Sequence, residues 1–515
     1  MKRLLSLLLL VCLLCSIFAG CGNDDVYVPT GDALEFEENY TGPTTPPTEP
    51  EAPGELTLTY YPNISMNPYS CKDFTNKALF SLLYQGLFSV DRNYQVHPVI
   101  CKNYRMSEDM RTYTFYLERA TFSDGSVVTA QDVLDSLLKA KESTLYSGRF
   151  WRVDEIKLSE DGGVTFQLNT PYENFPILLD VPILKTSQLE SDFPLGTGPY
   201  IFNSVGIQSS LRRRTNWWCN AELPISADDI ALIRAESAIQ IRDNFQFGDL
   251  DIVCADPGSD RYADYRSDFE LWDCENGIFL YLVCSDYSKV FKNDKLRSAL
   301  TYAIDREVLA EEHYRNFARP ASLPASPASP YYSSTLANRY AYNPEKFAQA
   351  VADAALAEDT VVTLLVNSGD SLRTRAARAI CDMLEAGGLK TELKALSGEA
   401  YEYTLHAWDF DLYLGQTMLS PNMDLSPFFF TYGTLRQGGT TDVAAYSLCR
   451  QALENHGNYY TLHQHVMDNG LLCPVLFRSY AVYATRGLVT DLTPARDNIF
   501  YYNLEKSMED ALLKD

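Results

Sequence analysis

Positive charge is scarce in this chain. Its 515 residues include 43 Lys and Arg but 68 Asp and Glu, so the formal net charge is −25. A strongly acidic exterior repels the phosphates of nucleic acids and the head groups of anionic lipids. We therefore expect no nucleic acid partner and no direct binding to an anionic lipid surface.

Signatures of catalysis are missing as well. The sequence has no Gly-x-Ser-x-Gly elbow and no phosphate loop with Gly-Lys-Ser/Thr, and Gly196-Thr197-Gly198 lacks the third glycine of a dinucleotide loop. Among the six histidines only His463 and His465 are close together. On a helix this spacing points the two rings to different faces, so we expect no metal site and no cofactor. A hydrolase with a carboxylate pair stays open, although no pair stands out.

A disulfide framework is not indicated by the cysteines. Nine of them follow Cys21, and an odd number cannot pair completely within one chain. Several lie in apolar strings, such as Cys254 and Cys284. We expect most of them to be small buried hydrophobic residues.

Long apolar runs are confined to the N-terminus. Two basic residues precede an almost wholly apolar stretch from Leu4 to Phe18, which is typical of a signal peptide and too short for a permanent membrane span. The stretch ends in Phe18-Ala19-Gly20-Cys21, which resembles the bacterial lipobox. The resemblance implies that residues 1–20 are removed and that Cys21 is lipidated, so that the lipid anchors the protein to a membrane.

Residues 21–55 have the composition of a solvated tether. From Gly22 to Glu55 there are six prolines, nine acidic residues and no Lys or Arg. Such a segment cannot bury enough apolar area to fold, and it favours extended conformations. We expect it to hold a globular body away from the membrane.

The body alternates between helix and strand patterns. Phe74 to Phe88 has helical spacing, Thr129 and Asp132 have the spacing of a capping box, and Leu280 to Cys284 is a short apolar run typical of a buried strand. Residues 360 to 415 follow the order strand, helix, strand, helix, strand. These patterns predict a mixed α/β body with some parallel pairing, in two lobes.

Nine short segments occur in a characteristic order. They are Met66-Asn67-Pro68, Leu83 to Phe88, Ser107 to Asp109, Phe122 to Gly125, Thr129 to Val133, Gly196 to Tyr200, Gly248 to Asp251, Ala303 to Arg306 and Tyr342 to Lys346. Together they resemble family 5 of the extracellular solute-binding proteins, which are the oligopeptide and nickel receptors of ABC importers. The resemblance implies a large α/β fold of the class II periplasmic-binding-protein type, two-lobed, with an inserted subdomain and a ligand cleft between the lobes.

The resemblance also implies a division of the body. Lobe I is expected to comprise residues 56–75, 186–279 and 476–515, the inserted subdomain residues 76–185, and lobe II residues 280–475. The lobes are expected to close around a ligand by a hinge motion. In this reading the protein is a lipid-anchored, extracytoplasmic monomer on the outer face of the cytoplasmic membrane or in the periplasm.

The function implied is capture of a small solute, first of all a peptide, and its delivery to the permease subunits of an ABC importer. A lipoprotein that senses or presents a solute without a transporter is the alternative. An extracytoplasmic hydrolase is a further alternative, since the fold alone does not fix the function.

An acidic residue in the second lobe is the first candidate for ligand binding. In peptide receptors of the family this residue holds the amino group of the ligand, and it follows a strand resembling Asp409 to Gly415. Asp424 is the nearest acid to that place here. A carboxylate that caps a helix or orders a loop is an equally compatible interpretation of Asp424.

Four further residues are candidates for the binding site. Gln416 comes directly after the predicted strand, and Asn67 and Tyr69 lie in the loop that commonly faces the cleft in the family. Arg478 is an isolated positive charge among apolar and aromatic residues. It can neutralise a ligand carboxylate through two parallel hydrogen bonds, or it can form an ion pair within the protein.

Overall fold

The computed structural model describes residues 56–513 except 220, 226, 260, 261, 263, 267, 490, 491, 497, 503 and 505. The predicted signal peptide, Cys21 and the tether lie outside the described residues. The strands are β1 (Leu56–Tyr60), β2 (Phe88–Val90), β3 (Val96–Pro98), β4 (Cys101–Met106), β5 (Thr112–Leu117), β6 (Val153–Leu158), β7 (Val164–Leu168), β8 (Tyr200–Val205), β9 (Gln208–Arg213), β10 (Asp229–Arg234), β11 (Ile252–Ala255), β12 (Phe269–Cys284), β13 (Ala318–Pro320), β14 (Val362–Asn367), β15 (Thr391–Leu396), β16 (Leu412–Met418) and β17 (Cys473–Thr485).

The α-helices are mostly short, and many of them begin with a side-chain cap, such as Asp73, Thr129 and Asn293. They span Phe74–Lys77, Phe80–Leu83, Ala130–Glu142, Ala238–Phe247, Asp294–Ala303, Arg306–Val308, Ser334–Ala337, Pro344–Asp353, Ser371–Ala386, Gly398–Ala407, Ser426–Phe429, Val443–Glu454, Tyr459–Asp468 and Met508–Ala511. Within the described part of the chain, no helix is long and apolar enough to cross a membrane.

One sheet joins the start of the body to a segment far along the chain. Its strand order is β1-β10-β9-β8, and β1 runs parallel to β10. The carboxylate of Asp251 reinforces this connection, because it accepts hydrogen bonds from the backbone N–H and the hydroxyl of Thr57 at 2.7 and 2.9 Å. The sheet is built from the discontinuous segments that the sequence assigns to lobe I.

A second sheet lies within the predicted inserted subdomain. Its order is β4-β5-β7-β6, all antiparallel, and β2 and β3 form a separate two-stranded ribbon. The helix Ala130–Glu142 lies beside this sheet and begins with the predicted capping box. Thr129 and Asp132 bond reciprocally, with the Thr129 N–H 2.9 Å from the Asp132 carboxylate.

The largest sheet has the order β11-β17-β12-β16-β14-β15, with β13 added on β17. β14 pairs in parallel with both β15 and β16, which confirms the parallel pairing predicted from residues 360 to 415. The strand predicted at Leu280 to Cys284 is present, but it is only the end of the 16-residue strand β12. The predicted length was therefore wrong. The earlier half of β12 carries partly exposed acidic residues such as Glu270, and it therefore lacks the apolar pattern.

The two faces of β12 pack into different hydrophobic clusters. Phe279, Tyr281 and Val283 belong to the larger cluster, and the alternating Leu280 and Leu282 belong to a second one. Successive side chains of a strand point to opposite faces, so one strand supports both clusters. The central strand of the largest sheet is thereby buried on both sides.

The pairing of β12 with β17 is interrupted near the middle of both strands. The register shifts between Glu275 and Phe279, and Gly277 has a φ of 72°. The predicted lobe boundaries at residues 280 and 476 fall inside these two strands, next to the irregularity. A side chain at Gly277 would be strained by its φ and would also press on the guanidinium of Arg496.

The predicted helix from Phe74 to Phe88 is divided in the structure. It forms two short helices, Phe74–Lys77 and Phe80–Leu83, and the chain then enters β2. After Leu83 the backbone pairs with a distant segment instead, since the carbonyl of Gln85 accepts from the N–H of Ile183 at 2.9 Å and Gly86 leaves no room for a Cβ against Val181. The close approach of another chain segment overrides the helical spacing.

The cysteines occupy the interior, as the sequence predicts. Eight of the nine that follow Cys21 are buried, and Cys219 is half-buried. Burial raises the pKa of the thiol at several of them, including Cys254, where it is about 12. These side chains are packed as neutral, small hydrophobic groups.

Candidate functional site

A turn after β11 meets a buried arginine from β17. The Nη2 atom of Arg478 lies 2.9 and 3.2 Å from the two carboxylate oxygens of Asp256. The side chain of Arg478 is 6% exposed and that of Asp256 is 25% exposed. Burial acts against the charge of Arg478, but the carboxylates of Asp256 and Asp370 and the hydroxyls of Tyr314 and Tyr480 together outweigh it and raise the pKa of the guanidinium.

The local backbone is shaped to admit this arginine. The N–H of Gly258 donates to the Asp256 carboxylate at 2.9 Å, which orders the turn. A Cβ on Gly258 would overlap the Arg478 guanidinium, so glycine is required for the guanidinium to pack against the backbone. Asp256 is therefore held from behind, and part of its carboxylate stays exposed.

Residues of predicted lobe II border the same turn. Gln416 accepts a hydrogen bond from Nη1 of Arg478 at 3.4 Å, so the structure brings these two predicted residues together. Arg315 donates to the carbonyl of Pro257 at 3.2 Å and lies over the ring of Tyr262, 5.2 Å from its centroid. The turn thus lies where the two predicted lobes meet.

A cavity of about 320 Å³ opens beside Asp256. Five aromatic rings line it, and its charged residues are Lys72, Asp73 and Asp256. The rings are those of Tyr61, Phe74, Tyr262, Tyr265 and Tyr480. We call this space the tyrosine-lined cavity.

The rings are held in place by one another. Phe74 stacks on Tyr480 with 3.6 Å between the centroids, and Tyr265 stacks on Tyr483 with 4.2 Å between them. The hydroxyls of Tyr262 and Tyr483 lie 2.6 Å apart. Little side-chain freedom remains to be lost when a ligand binds, which favours affinity.

Other cavities fit a solute less well. A space of about 60 Å³ between Tyr84 and Tyr502 has room for only about two water molecules. A groove of about 570 Å³ runs along β8, β9 and β10, and its lining comes from these strands and their connections. Its lining includes no aromatic ring.

Asn67 and Tyr69 serve the packing of the loop that contains them. The amide of Asn67 donates to the carbonyls of Leu189 and Ser191 at 2.8 and 2.9 Å, and its oxygen accepts from the N–H of Tyr69. The hydroxyl of Tyr69 donates to the carbonyl of Pro182 at 2.5 Å. Both residues are buried and lie outside the lining of the tyrosine-lined cavity. Their role in ligand binding stays a prediction.

Asp424 is buried in a different place. Its carboxylate lies 3.3 Å from Nε of Arg152, and it accepts hydrogen bonds from the backbone N–H and the hydroxyl of Ser426 at 2.9 and 2.6 Å. Ser426 begins a short helix, which agrees with the interpretation of Asp424 as a carboxylate near a helix start. The amino-group role of Asp424 stays a prediction, and its observed contacts are all made within the protein.

Sequence reasoning missed Asp256 and the tyrosines around it. The residues that meet at this site are far apart in the chain. Asp256 and Arg478, for example, are separated by 222 positions. One pattern in the sequence could have identified Asp256. Asp256-Pro257-Gly258 follows a buried strand, and these three residues are typical of a turn, which places the Asp256 carboxylate at the strand end.

The histidines behave as their spacing predicts. His463 is fully buried, whereas His465 is partly exposed and lies 3.3 Å from the carboxylate of Asp442. Among the residues that the structure describes, no group of three or more His, Cys, Asp or Glu side chains is arranged to hold a metal ion.

Comparison with known proteins identifies the family. The model of "Bacterial extracellular solute-binding proteins, family 5 Middle" matches residues 95–439. The glutathione-binding protein GsiB of Escherichia coli (strain K12) is 24% identical over 352 residues, which cover 64% of this chain and 67% of that protein. GsiB of Salmonella choleraesuis (strain SC-B67) is also 24% identical, over 348 residues covering 64% and 67% of the two chains.

Solved structures share the fold at low sequence identity. A putative peptide-binding protein AppA from Clostridium difficile aligns with a TM-score of 0.72 and 16% identity, covering 88% of this chain and 99% of that one. NikZ from Campylobacter jejuni, in complex with Ni(L-His), aligns with a TM-score of 0.61 and 17% identity, covering 88% and 97%. The expected two-lobed α/β fold is confirmed. This chain belongs to family 5 of the bacterial extracellular solute-binding proteins.

Proposed function

We propose that this protein captures a peptide or a peptide-sized solute in the tyrosine-lined cavity and delivers it to the permease subunits of an ABC importer. Support for solute capture comes from membership of the family. Support for a peptide comes from relatives that are named as glutathione-binding and peptide-binding proteins. The protein acts by stoichiometric binding and not by turnover.

The geometry at Asp256 is the observation on which the choice of cavity rests. Ligand cavities commonly measure about 300–1,000 Å³, have apolar and aromatic walls and contain a few fixed polar groups. The cavity of about 320 Å³ has these properties, and Asp256 is its fixed polar group. Its size suits a small solute, such as a short peptide.

The position beside the two long strands suits the proposed mechanism. Asp256 contacts Arg478 on β17, and Arg478 contacts Gln416 from predicted lobe II. A solute bound at Asp256 would favour the closed arrangement of the two lobes if closure brings residues of predicted lobe II against it. The importer would then distinguish the loaded protein from the empty one by this arrangement.

The anchor belongs to the same proposal. A lipid on Cys21 and the acidic, proline-rich tether over residues 21–55 keep a monomeric body close to the outer face of the cytoplasmic membrane. Capture and delivery then occur beside the permease, where a short tether raises the effective concentration of the loaded protein.

Native mass spectrometry of the protein purified from its own cells tests the proposal. We expect one bound small molecule per chain, which is released unchanged when the protein is denatured. The released solute should raise the melting temperature of protein that has been emptied by unfolding and refolding. Chemical conversion of the solute, or protein that binds no small molecule from cell extract, would contradict solute capture.

Uptake separates an importer receptor from a solute sensor. Cells that lack the protein should lose uptake of the labelled solute and regain it with the wild-type chain. Solute binding without any change in uptake would favour the sensing or presenting lipoprotein.

A further inference from the structure

We infer that Glu275 is a proton-sensitive clasp, which joins three distant segments beside the irregularity between β12 and β17. Uptake of a proton by its carboxyl favours the closed arrangement of the predicted lobes, and loss of the proton favours opening. Glu275 and the residues that bond to it lie outside the lining of the tyrosine-lined cavity. The link from the clasp to the solute rests on the proposed function.

The carboxylate of Glu275 connects three parts of the chain. Its Oε1 accepts a hydrogen bond from the hydroxyl of Tyr94 at 2.5 Å, and its Oε2 accepts one from the hydroxyl of Ser326 at 2.7 Å. Tyr94 belongs to the predicted inserted subdomain, Glu275 to predicted lobe I and Ser326 to predicted lobe II. The pairing of β12 with β17 shifts directly after Glu275. A motion of predicted lobe II away from this point therefore has to break the contact with Ser326.

The turn between β2 and β3 holds Tyr94 in a strained conformation. Tyr94 has a φ of 61°, which is unfavourable for a bulky residue. The carboxylate of Asp91 supports this turn, because it accepts hydrogen bonds from the backbone N–H groups of Asn93 and Gln95, both at 2.8 Å. The hydroxyl of Tyr94 is thus presented to Glu275 by a turn with its own internal support.

A polar cavity of about 150 Å³ lies beside the clasp. Its other charged side chains come from the turn between β2 and β3, from β12, from β13 and from the C-terminal segment, and they are Asp91, Arg92, Asp273, Arg319 and Arg496. His97 joins this group through Asp91, with 3.4 Å between the ring and the carboxylate. The space has room for about five water molecules and is bordered by exposed residues such as Arg92, so water can carry a proton to the buried carboxyl.

The surroundings of Glu275 determine the direction of the effect. Burial raises the pKa of its carboxyl, against the opposing effects of the hydroxyls of Ser326 and Tyr94 and of the guanidinium groups of Arg319 and Arg496. In an open arrangement water hydrates the carboxyl, and its pKa returns to the ordinary value. Between these two values the closed clasp holds a proton that the open one does not hold. The closed arrangement is therefore favoured as the pH falls, and it loses this advantage as the pH rises through the raised pKa.

Hydrogen exchange of the full-length protein at pH 7.5 and pH 5, read by mass spectrometry, tests the clasp without any solute. The reporter is the peptide around Ala328, whose N–H donates to the Ser326 hydroxyl at 3.1 Å. After correction for the intrinsic exchange rate, its protection should be at least about threefold greater at pH 5, because one proton per opening changes the equilibrium by up to about tenfold per pH unit. The helix Ala130–Glu142 is the reference and should keep the same protection. Equal protection of the reporter at both pH values overturns the inference, and so does an equal change in the reference helix.

Variants then assign the proton to Glu275. Glu275→Gln keeps the shape of the side chain and stays neutral, so its reporter should be as protected at pH 7.5 as the wild type is at pH 5, without a pH dependence. Tyr94→Phe removes a donor to the charged form, so it should lower the protection at pH 7.5 and show a larger gain at pH 5.

Two control variants should keep the wild-type pH dependence. Glu270→Gln changes a partly exposed carboxylate on the same strand, and His97→Gln removes a ring of the type that ordinarily titrates in this interval. A pH dependence that survives in folded Glu275→Gln, or one that disappears in His97→Gln, overturns the assignment to Glu275.

Titration with the solute released from the wild-type protein tests the link to the lobes. Raising the pH from 5 to 7.5 should weaken its binding to the wild type at least about threefold more than its binding to Glu275→Gln. Equal losses in the two proteins overturn the link between the clasp and the lobes. Protein that binds no solute contradicts the proposed function, and hydrogen exchange still decides whether Glu275 is a proton-sensitive clasp.

Discussion

Arg152 and Asp424 form a buried ion pair, with Nε 3.3 Å from the carboxylate. Arg152 immediately precedes β6 in the predicted inserted subdomain, and Asp424 follows β16 in predicted lobe II, 272 positions later. The two side chains are 6% and 5% exposed. Nη2 of Arg152 also donates to Ser426 at 2.6 Å, so the guanidinium joins two segments that are distant in the chain.

Loss of either partner should destabilise the protein strongly. Removing one member of a buried pair leaves an uncompensated charge, which typically costs about 3–5 kcal/mol. We expect Arg152→Met and Asp424→Asn each to lower the free energy of unfolding, because each leaves the other side chain buried without its counter-ion. Urea denaturation followed by circular dichroism measures the change.

An exposed pair provides the control for this prediction. Lys157 and Glu155 lie 2.6 Å apart with more than half of each side chain exposed, so Lys157→Met should cost less than about 1 kcal/mol. If Arg152→Met were as stable as Lys157→Met, the buried pair would not stabilise the contact between the segments that contain Arg152 and Asp424.

Gly277 marks the irregularity between the two long strands, and alanine should be poorly tolerated there. Its φ of 72° costs a non-glycine residue roughly 1–2 kcal/mol. A Cβ would also lie 2.7 Å from Cζ of Arg496. Gly277→Ala should therefore lower the melting temperature.

Gly125 provides a control that separates backbone strain from crowding by Arg496 at Gly277. Its φ is 84°, but a Cβ there would meet nothing within 4 Å. Gly125→Ala should show the backbone strain alone, and the further loss in Gly277→Ala measures the crowding by Arg496. Equal melting temperatures for the two variants would remove crowding from the explanation.

His463 should make the protein sensitive to acid. Burial lowers the pKa of His463 from 6.5 to about 3, so the folded protein keeps this ring neutral. The unfolded chain takes up a proton below about pH 6.5, and the folded one does so only near pH 3. Stability should therefore fall as the pH decreases across this interval, by up to about 1.4 kcal/mol per pH unit.

Replacement of His463 by leucine should reduce this dependence. We expect the loss of unfolding free energy between pH 7 and pH 5 to be smaller by roughly 2 kcal/mol in His463→Leu than in the wild type. His406 is exposed, so His406→Leu should keep the wild-type pH dependence. Parallel pH profiles for His463→Leu and the wild type would contradict the assignment.

Local signals in the sequence predicted much of the fold. The capping box of Thr129 and Asp132 and the alternation over residues 360 to 415 depend on neighbours in the chain, and both were confirmed. The helix predicted from Phe74 to Phe88 was wrong because Gly86 lies against the backbone of Val181. Close approaches between distant segments leave no periodic pattern in either segment.

The candidate site was only partly accessible to sequence reasoning. Gln416 and Arg478 were selected for separate reasons, one by its place after a strand and the other by its isolated charge. Their contact depends on the packing of strands in one sheet, and so does the contact between Arg478 and Asp256. The five aromatic rings of the cavity come from four separate segments, which composition cannot bring together.

Cys21 should determine where the protein is found. If the thiol carries a diacylglyceryl group, Cys21→Ser should lose incorporation of radiolabelled palmitate and partition into the aqueous phase of a detergent extraction. Cys15 lies in the predicted signal peptide, so Cys15→Ser should stay lipidated. Retention of label and of membrane association in Cys21→Ser would contradict the anchor.

The central claim is that one solute binds in the tyrosine-lined cavity. Its most direct test is calorimetric titration of the co-purifying solute into the wild type, Tyr262→Leu and Tyr287→Leu. Tyr262 lines the cavity, whereas Tyr287 is 64% exposed and stacks on Trp408. The account predicts one site per chain, at least about a tenfold weaker affinity in Tyr262→Leu and wild-type affinity in Tyr287→Leu. Equal affinity in all three proteins would place the solute elsewhere and contradict the account.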